Sequence, residues 1–245
     1  MVALFIFLGA LMGHLADLLL DRAYSDEPLL QPIYRCPSCR TPEVGVPFLV
    51  PLWGYLLYRG RCQRCGEPLP RRALILPTGG AALFALAYYA IEGNGAALLA
   101  ATFATVFLAL AVTDLERRLI PNRIVYPAMI LAAAFAWAWP DREWWSAFTG
   151  GAAALALLLA IYAIGRGALG FGDVKMGALL GLAAGLEGAL AGLLLGAIAA
   201  GVTIVILLAL RLVSRRDYIP YGPFIALGGI IALLWGGPIV DWYRG

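Results

Sequence analysis

Long apolar runs, separated by short polar stretches rich in arginine, organise this 245-residue chain. A helix rising about 1.5 Å per residue needs about 18 to 20 apolar residues to cross about 30 Å of hydrocarbon. Eight stretches of roughly this kind are predicted, at 2–20, 74–91, 97–113, 123–139, 146–164, 174–186, 188–210 and 222–240. The sixth is short, and it exists only if the chain turns between Gly185 and Gly188; read as one continuous helix, that region leaves seven spans. The first span has no basic segment before it and no small-residue cleavage pattern before its charged flank at Arg22, so it reads as a retained helix rather than a signal peptide.

Composition narrows the class. The chain is 62% hydrophobic and only 13% charged, with a mean hydropathy of +0.84. A soluble domain carries about 25% charged residues, and a disordered chain is poorer in apolar residues and richer in charge. Both are excluded in favour of an all-α polytopic membrane protein, with membrane lipids as its surroundings. A net charge of +3 also argues against a nucleic-acid partner. The basic residues orient the bundle instead. With eight spans, segments 21–73, 114–123, 165–175 and 211–221 fall on one side and hold 8, 3, 2 and 3 Lys or Arg, which is 16 of the 18 in the chain. By the positive-inside rule those segments are cytoplasmic and both termini are on the outer face. Seven spans would move 211–221 outside, so the charge pattern favours eight.

The segment 21–73 is too short to build a large core of its own, and it contains all four cysteines. Cys36-Pro37-Ser38-Cys39 and Cys62-Gln63-Arg64-Cys65 are two C-x-x-C knuckles separated by 22 residues. Each turn presents two thiolates, and together they can close a tetrahedral four-sulfur site, the arrangement of a structural zinc ribbon. Free or disulfide-bonded cysteines are the alternative, and a cytoplasmic location disfavours disulfides. The expected organisation is a first helix at 1–20, a cytoplasmic four-cysteine loop domain at 21–73 and a transmembrane bundle at 74–245.

Charged groups within a membrane segment cost roughly 2.5 to 3.5 kcal/mol each on insertion scales, so each needs a reason. Asp17 lies near the end of the first span, Asp114 ends the third, and Asp173 opens the sixth, in Gly170-Phe171-Gly172-Asp173-Val174-Lys175. Although 59 positions apart, Asp114 and Asp173 are expected at the same depth. Two facing carboxylates cannot both ionise comfortably. One would serve as general base to a water and the other as acid to the carbonyl and leaving amine, which is aspartic-protease chemistry. The plainer alternatives are an N-cap for Asp173 and a boundary charge for Asp114. Two other classes use the same residues differently: a small proton-coupled transporter with Asp17, Asp114 and Asp173 as a relay, and a membrane-anchored zinc-ribbon scaffold that needs only the cysteines.

The segments Asp114 to Pro121 and Gly170 to Lys175, with the two cysteine pairs and Pro220-Tyr221-Gly222-Pro223-Phe224, resemble the type IV prepilin peptidases, GxGD-type membrane aspartic proteases. The likeness spans nearly the whole chain. It implies a bacterial inner-membrane enzyme that cuts the leader from prepilins or pseudopilins at the cytoplasmic face, after a glycine and before a hydrophobic helix. Asp114 and Asp173 are the implied catalytic pair, with Gly170, Gly172, Lys175, Glu116 and Pro121 supporting it. Many bacterial members also methylate the new N-terminus with S-adenosylmethionine, through the first cytoplasmic loop. There the sequence departs from the family. Leu49-Val50-Pro51-Leu52-Trp53-Gly54 stands where N-I-P-x-x-S is common, Asp17-Leu18-Leu19 where Asn-Val-Val is usual, and Leu76 where an acid is expected. Proteolysis retained and methylation altered or lost is the resulting expectation.

Lys175 is the chain's only lysine beside 17 arginines. A specific need for a compact ammonium, or a topology charge that happens to be lysine, are the two readings. Two residues from Asp173, it does not share that residue's helix face. His14 is spaced to meet Asp17 on the first helix. Trp137, Trp139, Trp144, Trp145, Trp235 and Trp242 suit an interfacial belt at the outer helix ends. The Gly- and Ala-rich run 177–201 suits close helix packing, either within the chain or as the face of a homodimer.

Overall fold

In the computed structural model the described residues are 1–24, 36, 39, 51–140, 142–165, 169–214 and 219–244. They are almost entirely helical: α1 (Val2–Ala23), a short α2 (Trp53–Leu57), α3 (Arg72–Ala90), α4 (Asn94–Arg117), α5 (Asn122–Ala134), α6 (Trp144–Ile164), α7 (Phe171–Ala209) and α8 (Gly222–Arg244). Among them six helices are long and apolar enough to cross a membrane. The protein is a multi-pass membrane protein.

The 39 residues of α7 would span about 58 Å as one straight rod, nearly twice the hydrocarbon thickness. They do not form one. At Gly185 the backbone takes φ 73°, ψ 178°, a conformation that L side chains rarely adopt. A side chain at Gly177 would come within 3.9 Å of Leu193 Cδ2, although a straight helix would hold residues 16 apart about 24 Å from each other. Residues 171–184 and 186–209 therefore run antiparallel as a helical hairpin. The turn predicted at Gly185 forms, and with it the eighth apolar segment. A broken helix in a membrane must satisfy its freed backbone groups internally. Here Arg142 donates to the Ala183 carbonyl, and Ser146 Oγ accepts from the Leu186 N–H at 3.1 Å. The two side chains come from the α5 to α6 connection and the first turn of α6.

The fourth predicted span is shorter than expected. The helix stops at Ala134, and after a 3-10 turn at Ala136–Ala138 Trp139 is extended. Pro140 explains this, since proline disfavours helical backbone in the residue before it. Trp139 is half-buried beneath the Arg142 guanidinium, 4.1 Å from the ring centroid, while Trp137, Trp144, Trp145, Trp235 and Trp242 are exposed.

Phe107 and Leu110 of α4, Val125 of α5, Leu179 and Leu180 of α7 and Ile225 of α8 meet in the main core. Small residues permit the close contacts: α1 and α3 meet at Gly9 and Gly80, and the second half of α7 meets α8 at Gly192 and Gly228. This packing brings the end of α1, the α4 to α5 connection and the starts of α7 and α8 to one end of the bundle.

Candidate active site

Asp114 occupies the last turn of α4 and Asp173 the first turn of α7, and both are buried. They line one cavity of about 570 Å³, walled by Ala23 and Tyr24 from the end of α1, residues 118–123, and Gly170, Phe171, Gly172 and Lys175. Each carboxylate is held by one backbone N–H. Gly222 donates to Asp114 Oδ2 at 3.1 Å, and Gly170 donates to Asp173 Oδ2 at 3.0 Å. One oxygen of each acid is thereby fixed, and the other remains available to a water or a substrate. Glycine permits these approaches: a Cβ on Gly222 would lie 2.6 Å from Asp114 Oδ2, inside contact distance, and one on Gly170 would sit tightly, 3.2 Å from Asp173 Oδ2.

Of the expected supporting residues, Gly170, Gly172, Lys175 and Pro121 line the cavity. Glu116 is not among the lining residues; its Oε2 accepts from Arg72 Nη1 at 2.9 Å. Lys175 reaches across to α5, where its Nζ donates to Asn122 Oδ1.

Two contributors, Tyr24 and Arg72, were not legible from the sequence, and a third, Tyr221, stood there only as part of the Pro220 to Phe224 motif with no role of its own. Tyr24 donates to the Leu119 carbonyl at 2.7 Å under the Arg117 guanidinium, and burial holds its hydroxyl above the ordinary tyrosine pKa, in the donor form. Tyr221 is half-buried beside Asp173; burial first, and then that carboxylate's charge, push its pKa up. Arg72 is buried and joins three helices, its Nε 2.9 Å from Asp17 Oδ1 on α1 and its Nη1 reaching Glu116 on α4. Spacing pairs Asp17 with His14 along its own helix; the arginine 55 positions away is a further partner of Asp17 that spacing did not indicate.

The four cysteine sulfurs lie within 4.8 Å of one another, with Cys36 to Cys65 at 3.5 Å and Cys39 to Cys62 at 3.8 Å. Tetrahedral bonds of about 2.3 Å put sulfurs about 3.8 Å apart, so the set is compatible with a zinc site. The second knuckle is shaped by the Cys62 N–H to Glu67 carbonyl bond at 2.9 Å and by Gly66 at φ 73°, and the Arg64 N–H points at Cys62 Sγ, 3.4 Å away. Leu18 of α1, Leu69, Tyr55 and Tyr58 pack around the cysteines and seat the cluster on the bundle.

Residues 101–209 match the Type IV leader peptidase family, and residues 7–91 match the Bacterial Peptidase A24 N-terminal domain. The chain is 30% identical to the prepilin leader peptidase/N-methyltransferase of Aeromonas hydrophila, over 89% of this chain and 78% of that protein. The chain belongs to the type IV leader peptidase family. The Bacillus subtilis protein of the same description is 27% identical, over 88% of this chain and 86% of its own length. The Pseudomonas putida protein is 30% identical, over 78% and 68%. No solved structure matches the chain.

As a member of the leader peptidase family the protein is a peptidase, and neither the transporter nor the bare scaffold has support. Within the N-terminal family segment, Leu76 is fully buried. Gly54, where the family commonly carries serine, is buried in α2. Leu49, at the family's asparagine position, lies outside the described residues.

Proposed function

We propose that the protein cleaves the leader from type IV prepilins or pseudopilins, with Asp114 and Asp173 as the catalytic pair. The observation that carries this reading is the two buried carboxylates, from motifs 59 positions apart, lining one cavity. Peptide hydrolysis by such a pair needs one carboxyl ionised and one protonated. The ionised carboxylate takes a proton from a water as its oxygen attacks the scissile carbonyl carbon, and the protonated one donates to the carbonyl oxygen. Collapse of the tetrahedral species returns that proton's equivalent to the leaving amine and breaks the C–N bond, leaving a new carboxyl end on the leader and a new amino end on the mature protein. No metal takes part in this step. The Gly222 and Gly170 N–H groups hold both acids in place without a side chain that could compete for protons.

The basic segments orient this end of the bundle toward the cytoplasm of a bacterial inner membrane, with both termini on the outer face. The substrate's hydrophobic helix enters from the bilayer while its polar leader stays in the cytoplasm, so the scissile bond reaches the level of the two acids.

Zinc held by Cys36, Cys39, Cys62 and Cys65 would be structural, because four thiolates leave no open position on the ion. Purified protein is expected to carry about one zinc per chain by elemental analysis. Cys62→Ser should lose it and unfold at a lower temperature, and a metal-free wild type of unchanged thermal stability would refute the site.

Methylation is reduced or absent in this reading, because four positions of the N-terminal segment depart from the family pattern. Incubation with a prepilin and S-adenosylmethionine, followed by mass spectrometry, tests both activities at once. The expected product is the mature fragment without an added methyl mass. Quantitative methylation would overturn the loss, and an uncut substrate would overturn the peptidase assignment.

A further inference from the structure

Beside Arg118 and Arg123, the cavity is lined by one ammonium, that of Lys175, which the hydrolysis above does not use. Lys175 Nζ donates to Asn122 Oδ1 and lies 5.3 Å from the centroid of the Phe171 ring and 5.7 Å from that of Tyr126. Among the described residues no carboxylate pairs with it. Phe171 and Lys175 belong to the start of α7, and Asn122 and Tyr126 to the start of α5, so the ammonium bridges two helices. A second contact runs beside it: at Gly172 a Cβ would lie only 3.1 Å from Ile120 Cβ.

Both contacts join the segment that follows Asp114 to the segment that carries Asp173. The two acids share no helix, so the connection 118–121 and the start of α5 must be held against α7 for their separation to be defined. We propose that the Lys175 to Asn122 bond is the clasp that sets this separation, with both residues acting as positioning residues. The proposal rests on leader cleavage by the dyad.

The choice of side chains follows from the task. A neutral amide accepts from the ammonium without placing a third negative charge beside two carboxylates that must share a proton. A compact ammonium on a flexible stem fits between an amide oxygen and two ring faces, whereas the planar guanidinium fork demands a wider, flatter site. This accounts for one lysine in a chain that otherwise uses arginine at all its basic positions.

The test compares wild type, Lys175→Met, Asn122→Ala and the double variant in lipid vesicles, with a prepilin as substrate. A peptide carrying a hydroxyethylene group in place of the scissile amide serves as a probe of dyad geometry. Each single change is expected to lower kcat on the order of a hundredfold with KM unchanged, as displaced catalytic groups do, and to weaken binding of the hydroxyethylene peptide by a similar factor. The double variant should be no worse than either single one, because the same bond is already lost. Wild-type kcat and wild-type probe affinity in either single variant would overturn the clasp, and so would losses that multiply in the double. Should Lys175→Met fail to fold, Asn122→Ala carries the test alone, since Asn122 is exposed. A wild type that cuts no prepilin would instead remove the reaction and the clasp together, an outcome distinct from failure of the variants.

Discussion

Asp114→Asn and Asp173→Asn are each expected to reduce leader cleavage on the order of 10⁴-fold or more while the protein stays folded. Asparagine keeps a carbonyl oxygen where the carboxylate now accepts from the Gly222 or Gly170 N–H, so the local backbone bond survives. What disappears is the exchangeable proton site. With one member replaced, the pair lacks either the base for water or the acid for the carbonyl oxygen, and neither cavity-lining arginine nor Lys175 can take over at neutral pH. Purified variants should match wild type in thermal unfolding and fail in a gel or mass assay of prepilin processing. Cleavage at the wild-type rate by either variant would eliminate the dyad.

Arg72→Met carries the largest expected penalty in stability. Arg72 is buried, and it offsets the charge of Asp17, which is 1% exposed, while also binding the more accessible Glu116. Removing one member of a buried ion pair strands the other and typically costs about 3 to 5 kcal/mol. The unfolding midpoint in detergent should therefore drop sharply, and cleavage should fall with it, because Glu116 lies only two residues beyond Asp114. The double variant Arg72→Met with Asp17→Leu removes both buried charges and is expected to recover most of the lost stability. A single variant that melts with wild type would show that the ion pair carries no net stabilisation.

Much of this architecture was readable because the bilayer imposes a length on each apolar run and the charge rule sorts the loops between them. The turn at Gly185 followed from that arithmetic: only a reversal there keeps Arg211 and its neighbours on the basic side. The acids at 114 and 173 stood out since a carboxylate in an apolar segment is costly. Contacts between distant polar residues left no such mark. Nothing in the spacing of Arg72 points to Asp17, 55 positions earlier, and a periodicity argument reaches only as far as its near neighbour His14. Tyr24 and Asn122 were equally silent, as each gains its role only when the end of α1 and the start of α5 meet at the cavity rim. The early end of α5 was the one element length misjudged, although Pro140 was available as a signal.

The reversal at Gly185 also bears on how the chain is made. Arg142 and Ser146, whose side chains bind the Ala183 carbonyl and the Leu186 amide, leave the ribosome some forty residues before the groups they satisfy. When the glycine-rich hairpin is made, both partners have already been synthesised, one in the α5 to α6 connection and one in the first turn of α6. At no stage of synthesis does the bend exist without the side chains that satisfy its amide and carbonyl groups.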